Sequence, residues 1–275
     1  MRAPLRSRIV VVSLALALLV LGWRWFHFVC DDAYIAFRYI QARRLGWGLT
    51  WNPEPFAAVE GYTSLSWVLL LDAVWSVTGV PPPRSATWVS LLCSMGTVVI
   101  VGLRAFRGAW SGRAAWAVPV LVLLGTLSNR SFLAWTSSGL ETALFILLLV
   151  AWSLEGLGPR RSLLVLGALA TGLALTRPDG LLFCAATGAL VVSEAARRRE
   201  PGKLLALAPM GLIGVHLLWR HATYGLWLPN TFYAKVGESW PEAGLRYLAS
   251  FALEFAWFLW IPVALLAAWR WSPRR

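Results

Sequence analysis

Apolar residues run in long blocks along this chain, and polar residues collect between them. One block covers Ile9 to Trp23; others cover roughly 64–79, 87–103, 114–129, 140–154, 163–176, 181–193, 203–219 and 246–269. Blocks of this length predict membrane-spanning helices, because about 20 helical residues cross the hydrocarbon layer. Several are shorter, so their ends are expected to borrow interfacial residues. The first block follows Arg2, Arg6 and Arg8, as in a signal peptide. No small-x-small cleavage site follows, and Trp23-Arg24-Trp25-Phe26 makes a poor one, so a retained first span is expected. Internal repeats and low-complexity segments are absent.

Composition agrees with a polytopic membrane protein. Hydrophobic residues make up 58% of the 275 and charged residues 14%, where a soluble domain carries about a quarter charged. The net charge of +12 invites a nucleic-acid reading, but the positions of the cations remove it. They gather at Arg2/Arg6/Arg8, Arg104/Arg107/Arg113, Arg160/Arg161, Arg197/Arg198/Arg199/Lys203 and Arg270/Arg274/Arg275. All five clusters face the cytoplasm only if an even number of spans separates each from the next. Three apolar blocks lie between Arg8 and Arg104, so one must not cross. The block at 64–79 is short, contains Asp72 and ends before Pro81-Pro82-Pro83, and is expected to lie on or dip into the outer face. Eight crossings with both termini inside follow. Fifteen of the 25 Lys and Arg then fall in the inner clusters, and ten of the 13 acids on or near the outer side. That asymmetry is the pattern of a bacterial inner-membrane protein. Cys30, Cys93 and Cys184 are far apart and lack metal-ligand spacing, so neither a zinc site nor a disulfide framework is expected.

Outer segments are where a polar site could be built. Asp31 and Asp32 precede a short helical pattern in which Tyr34, Phe37 and Ile40 share a face. A helix-start Asp has a structural explanation, since capping and dipole contacts stabilise by about 0.5–2 kcal/mol. Two adjacent carboxylates at the mouth of a span fit that explanation less well. Glu141 opens another apolar helix, where capping is again the plain account. Asp179 lies in Pro178-Asp179-Gly180, ordinary turn chemistry. Arg177 at a membrane interface either snorkels or binds an anionic head group. Lys235 is an outer cation against the charge bias. His216 and His221 lack a partner spaced for metal binding, and the 18 tryptophans are mostly an interfacial belt.

Four segments then share a resemblance: Asp31-Asp32-Ala33-Tyr34-Ile35-x-Phe37-Arg38-Tyr39 with residues 46–53 and Glu60-Gly61-Tyr62-Thr63; Ser138-Gly139-Leu140-Glu141-Thr142; Leu175 to Gly180; and Pro229 to Lys235. In this order over about 205 residues they resemble the GT-C glycosyltransferases, in particular the terminal arabinofuranosyltransferases of actinobacterial cell walls and their proteobacterial kin. The resemblance implies a first span, an outer helical loop and then a bundle of spans; with the eight crossings from the charge map, the expected fold is an all-α bundle of about eight transmembrane helices forming one domain, 1–275. A juxtamembrane helical loop, 30–86, would follow the first span on the outer face. It also implies a polyprenyl-phosphate sugar donor and a glycan, lipid or protein acceptor, with no nucleotide sugar. Relatives are commonly near twice this length and carry a soluble outer domain. The chain is therefore expected to be a minimal form, a truncated form, or one part of a split protein with a separate periplasmic partner.

On this reading Asp31 or Asp32 is the general base of a single inverting displacement. Arg177 and Lys235 hold the donor phosphate, with Arg38 and Tyr233 as further candidates. Glu60, Tyr62, Glu141, Asp179 and Asn230 contact sugar or acceptor. Carboxylates alone do not distinguish sugar from a divalent cation, so Mg²⁺ or Mn²⁺ is compatible with the site without being indicated, and no metal ligand is assigned. A lipid-linked-sugar flippase would want polar residues deep within spans, whereas these acids cluster at one face. An inactive assembly subunit is the other alternative.

Overall fold

A computed structural model describes residues 4–108, 112–235 and 240–271. The molecule is all-helical, 76% helix, with no strand among the described residues. The chain divides into two compact units, Met1–Thr231 and Phe232–Arg275.

In the first unit α1 (Leu5–Trp25) leads to α2 (Ala33–Arg44), α3 (Leu65–Thr78) and the long α4 (Pro82–Phe106). Helices α5 (Ala114–Leu127), α6 (Arg130–Trp135), α7 (Thr142–Gly156), α8 (Leu163–Thr176), α9 (Leu181–Arg198) and α10 (Gly211–Tyr224) follow, and α11 (Asn230–Lys235) begins at its end. The second unit holds α12 (Pro241–Glu254) and α13 (Trp257–Trp271). A 3-10 turn, Pro178–Gly180, precedes α9, and a 3-10 segment, Pro201–Met210, precedes α10.

Helix α4 is the centre of the first unit, packed on α1, α3, α5 and α7. It affords that position by presenting small side chains: Ser85, Ser90, Ser94 and Thr97 are all buried on it. Ser94 and Thr97 donate to the carbonyls one turn back, Ser90 and Cys93, at 2.9 and 3.2 Å, which keeps their hydroxyls satisfied inside the bundle. Helix α1 is the opposite case. Leu5, Ile9, Val10, Leu14 and Leu18 are exposed along it, an apolar outer face that belongs in lipid rather than water.

Among the described residues, four stretches are long and apolar enough to cross a membrane: Leu5–Trp25, Pro82–Phe106, Pro178–Arg198 and Pro201–Tyr224. The α12–α13 pair makes a fifth if it counts as one span. The chain is thus a helical membrane protein with four to five apolar spans. Helices α5, α7 and α8 are apolar but only 14, 15 and 14 residues long. Of the expected spans, one changes helix type along its length and one is bent. The block at 203–219 begins in the 3-10 segment, where Pro209 supplies no N–H for a continuous α-helix. The block at 246–269 bends by 67° between α12 and α13, where Ala256 takes a φ of +51°.

The block at 64–79 forms α3, and its acid explains its place. Asp72 is buried and ion-paired to Arg43 and to Arg44, whose Nε lies 3.0 Å from Oδ1. Arg44 also donates to the Asp72 carbonyl at 2.9 Å and stacks on Trp75, so α3 is tied to the end of α2. Phe37 and Ile40 of α2 are buried against Trp67, Val68 and Leu71 of α3. Tyr34, expected on the same face, is 52% exposed.

Candidate functional site

The segment between α1 and α2 is pinned before the aspartates are reached. Phe28 N donates to Ser137 Oγ at 3.2 Å, Ser137 Oγ donates to the Phe26 carbonyl at 3.1 Å, and Cys30 N donates to the Ser138 carbonyl at 2.8 Å. Gly139 allows this approach. It holds a φ of +79°, and a Cβ there would stand 3.2 Å from Ala33 Cβ. Its carbonyl accepts from Trp67 Nε1 at 2.9 Å.

Asp31 and Asp32 follow, both exposed. The capping explanation does not hold for Asp32. That residue precedes α2 with φ −58° and ψ −24°, already helical, and its side chain makes no cap hydrogen bond. A capping carboxylate needs extended backbone to turn back onto the first-turn N–H groups. Asp31 Oδ1 accepts from Asp32 N at 3.0 Å and from Cys30 Sγ at 3.4 Å. Ligand atoms of Cys30, Asp31 and Asp32 lie within 4.8 Å of one another, so these are the residues that could hold a cation. Burial pushes the Cys30 thiol up, and the two carboxylates add to the rise.

Arg177 joins the next two motif segments. It breaks α8 with extended backbone, and its guanidinium reaches Glu141 Oε1 at 3.1 Å and Asp179 Oδ1 at 3.3 Å while lying over the Phe145 ring. Glu141 is mostly buried but makes no cap bond; its task is the ion pair. Burial raises its pKa above the ordinary glutamate value, with Arg177 pulling the other way. The expected phosphate clamp is thus one cation between two carboxylates, and it binds an added anion only by exchanging partners.

Glu60 has a different place from the one expected. It is 2% exposed, and both carboxylate oxygens are taken by Arg220: Nε to Oε2 at 2.6 Å and Nη2 to Oε1 at 3.3 Å. Arg220 also meets His216 Nε2 at 2.9 Å and donates to the Trp227 carbonyl at 3.3 Å. Burial lifts the Glu60 pKa, against the pull of Arg220. Tyr62 is likewise buried, its ring edge-on to Tyr39 at 4.9 Å. The Tyr39 hydroxyl donates to the Val59 carbonyl and accepts from Gly61 N, both at 2.6 Å. Asn230, itself exposed, donates its N–H to the Glu60 carbonyl at 3.0 Å. Glu60 and Tyr62 therefore hold the loop rather than face a ligand. Arg220 was missed in the sequence, although an arginine at the end of an apolar run carries a signal: a charge there needs a partner.

Arg38 is positioned by its Nε bond to the Trp51 carbonyl at 3.1 Å and by Trp47 beneath it. It lines an open groove of about 390 Å³ with Tyr34, Gln41, Trp51, Trp75 and Pro81–Pro83, on the helix that Asp32 begins. Tyr233 is in the second unit, exposed and edge-on to Phe232. The Lys235 side chain lies outside the described residues. Comparison of the chain with family profiles, with curated proteins and with solved structures finds no significant match.

Proposed function

We propose that the chain is a GT-C-type membrane glycosyltransferase that moves a sugar from a polyprenyl-phosphate donor to a cell-envelope acceptor. One observation carries the reading: motif segments far apart in the sequence are bonded to one another. Cys30 meets Ser138, Glu141 meets Arg177, and Glu60 meets Asn230. Structural capping would have scattered these acids one to a helix. Here Glu141 and Asp179 share Arg177, and the Cys30 N–H that precedes the aspartates is bonded to Ser138, just before Glu141.

In the proposed topology α5, α7 and α8 also cross, tilted little and completed by interfacial residues, giving eight crossings. Both termini are cytoplasmic and the site faces the outside of a bacterial inner membrane. Asp32, whose carboxylate makes no hydrogen bond or ion pair to the described residues, takes the proton of the acceptor hydroxyl, and Asp31 lies beside it. The acceptor oxygen attacks the anomeric carbon, the bond to the phosphate oxygen breaks, and polyprenyl phosphate leaves with the electron pair, inverting the centre. Arg177 and Arg38 are the cations for that phosphate, which is stable enough as an anion to need no acid.

The test is a transfer assay in membranes containing the full chain, offering radiolabelled polyprenyl-phosphate sugars. Label should move to an acceptor or to water, and stop in Asp31→Asn and Asp32→Asn while insertion is unchanged. Full transfer by both single variants would remove the base assignment. No transfer from any donor by the inserted wild type would remove the enzyme reading.

A further inference from the structure

A cavity lies at the other end of α4, away from the aspartates. About 610 Å³ in volume, it is lined by Ile100, Leu103, Arg104 and Arg107 from α4 and its end, and by Ala151, Leu154 and Glu155 from α7. The Pro81–Pro83 end of α4 borders the groove beside Arg38, so Arg104 is about 33 Å away along the helix axis. That distance matches the hydrocarbon thickness, and it sets the cavity at the opposite membrane interface.

Two features of the lining select an occupant. The first is charge. Arg104 and Arg107 are exposed and neither makes an ion pair among the described residues. Glu155 shares the cavity, yet its carboxylate turns to the Ser162 N–H and leaves both guanidinium groups unmatched. The second is apolar wall. Ile100, Leu103, Ala151 and Leu154 run from the arginines toward the middle of α4 and α7, the direction an acyl chain takes. A free anion would use the first feature only, and a neutral lipid the second only.

We propose that this cleft binds an anionic glycerophospholipid, its phosphate held by Arg104 and Arg107 and one acyl chain lying between α4 and α7. The assignment is independent of the catalytic reading, since it concerns the opposite end of the bundle.

The test is native mass spectrometry of the full chain in mild detergent, titrated with phosphatidylglycerol, with phosphatidylcholine of the same acyl chains, and with inorganic phosphate. Two guanidinium contacts should favour phosphatidylglycerol over phosphatidylcholine by roughly thirtyfold. Arg104→Gln/Arg107→Gln should abolish that preference, and Arg197→Gln/Arg198→Gln, an equal loss of charge elsewhere, should leave it intact. Ala151→Trp, which keeps both arginines and fills the apolar wall, should weaken phosphatidylglycerol binding, so the proposal remains testable if the double variant does not fold. Equal binding of the two lipids, equal weakening by the Arg197/Arg198 control, or phosphate binding as tightly as the lipid would each overturn it.

Discussion

A carboxylate with 2% exposure survives only because a guanidinium meets both its oxygens, and Glu60 depends on Arg220 in this way. Removing one partner leaves the other charge buried alone, so Glu60→Ala or Arg220→Ala should each cost about 3–5 kcal/mol. Glu60→Leu/Arg220→Met should recover much of that loss. Thermal unfolding of the purified chain in detergent measures all three, and additive losses in the double variant would argue against a direct pair. Glu141 makes a pH-dependent case. Its pKa is raised by burial, with Arg177 opposing, so the folded state takes up its proton more readily than the unfolded chain. The stability this group contributes is complete below the unfolded value, ordinarily 4.5, and is lost as pH rises through the folded one. Its ion pair to Arg177 follows the opposite course and opens on acidification, at a pH where an exposed glutamate is still ionised. Infrared titration should find a protonated-carboxyl band appearing above pH 4.5, absent from Glu141→Gln.

Among the elements, α8 and the 3-10 segment Pro201–Met210 come closest together. A Cβ on Gly167 would stand 2.1 Å from the Ala206 carbonyl oxygen, so no other residue fits without moving the backbone. Gly167→Val should lower the melting temperature, an overpacking cost of about 1–3 kcal/mol, whereas Gly188→Val, at a site with open space, should not. Helices themselves were legible from hydropathy because every block had a helical period or length, and each expected block contains a helix. Their interruptions were less so. The block at 203–219 was read straight through Pro209, whose missing N–H marks the change of helix type, and the left-handed Ala256 between α12 and α13 has no sequence mark. Asp72 set the block at 64–79 apart in the sequence, and in the structure that acid is buried and ion-paired to α2. Which cations would neutralise that acid depended on α2 and α3 lying side by side, and periodicity does not encode that.

For the molecule as a whole, the count of crossings is open to a direct measurement. With Cys30, Cys93 and Cys184 changed to Ser, single cysteines at Asn129 and Asp179 should react with an impermeant maleimide from outside the cell. Cysteines at Pro159 and Glu200 should react only after permeabilisation. Labelling of Pro159→Cys in intact cells would reduce the eight crossings to fewer. Much of the candidate site was readable as motifs, since Asp31, Asp32, Glu141, Arg177 and Asp179 all sit at helix boundaries that the hydropathy pattern marks. Their partnerships were hidden. Charge repulsion singled out the aspartate pair, yet nothing in the string of residues told Glu60 from an exposed sugar ligand, because the arginine that buries it lies 160 positions away.

That separation also sets a clock. Membrane proteins enter the bilayer as they are made, and a chain grows at about 5–20 residues per second. Glu60 therefore emerges on the order of ten to thirty seconds before Arg220 exists. Throughout that interval the loop between α2 and α3 carries an ionised side chain with no counter-charge, held to α2 through Tyr39 and Arg38. Its final closure waits for the tenth helix, so the nascent loop is open to proteases and chaperones in a way that the finished protein is not.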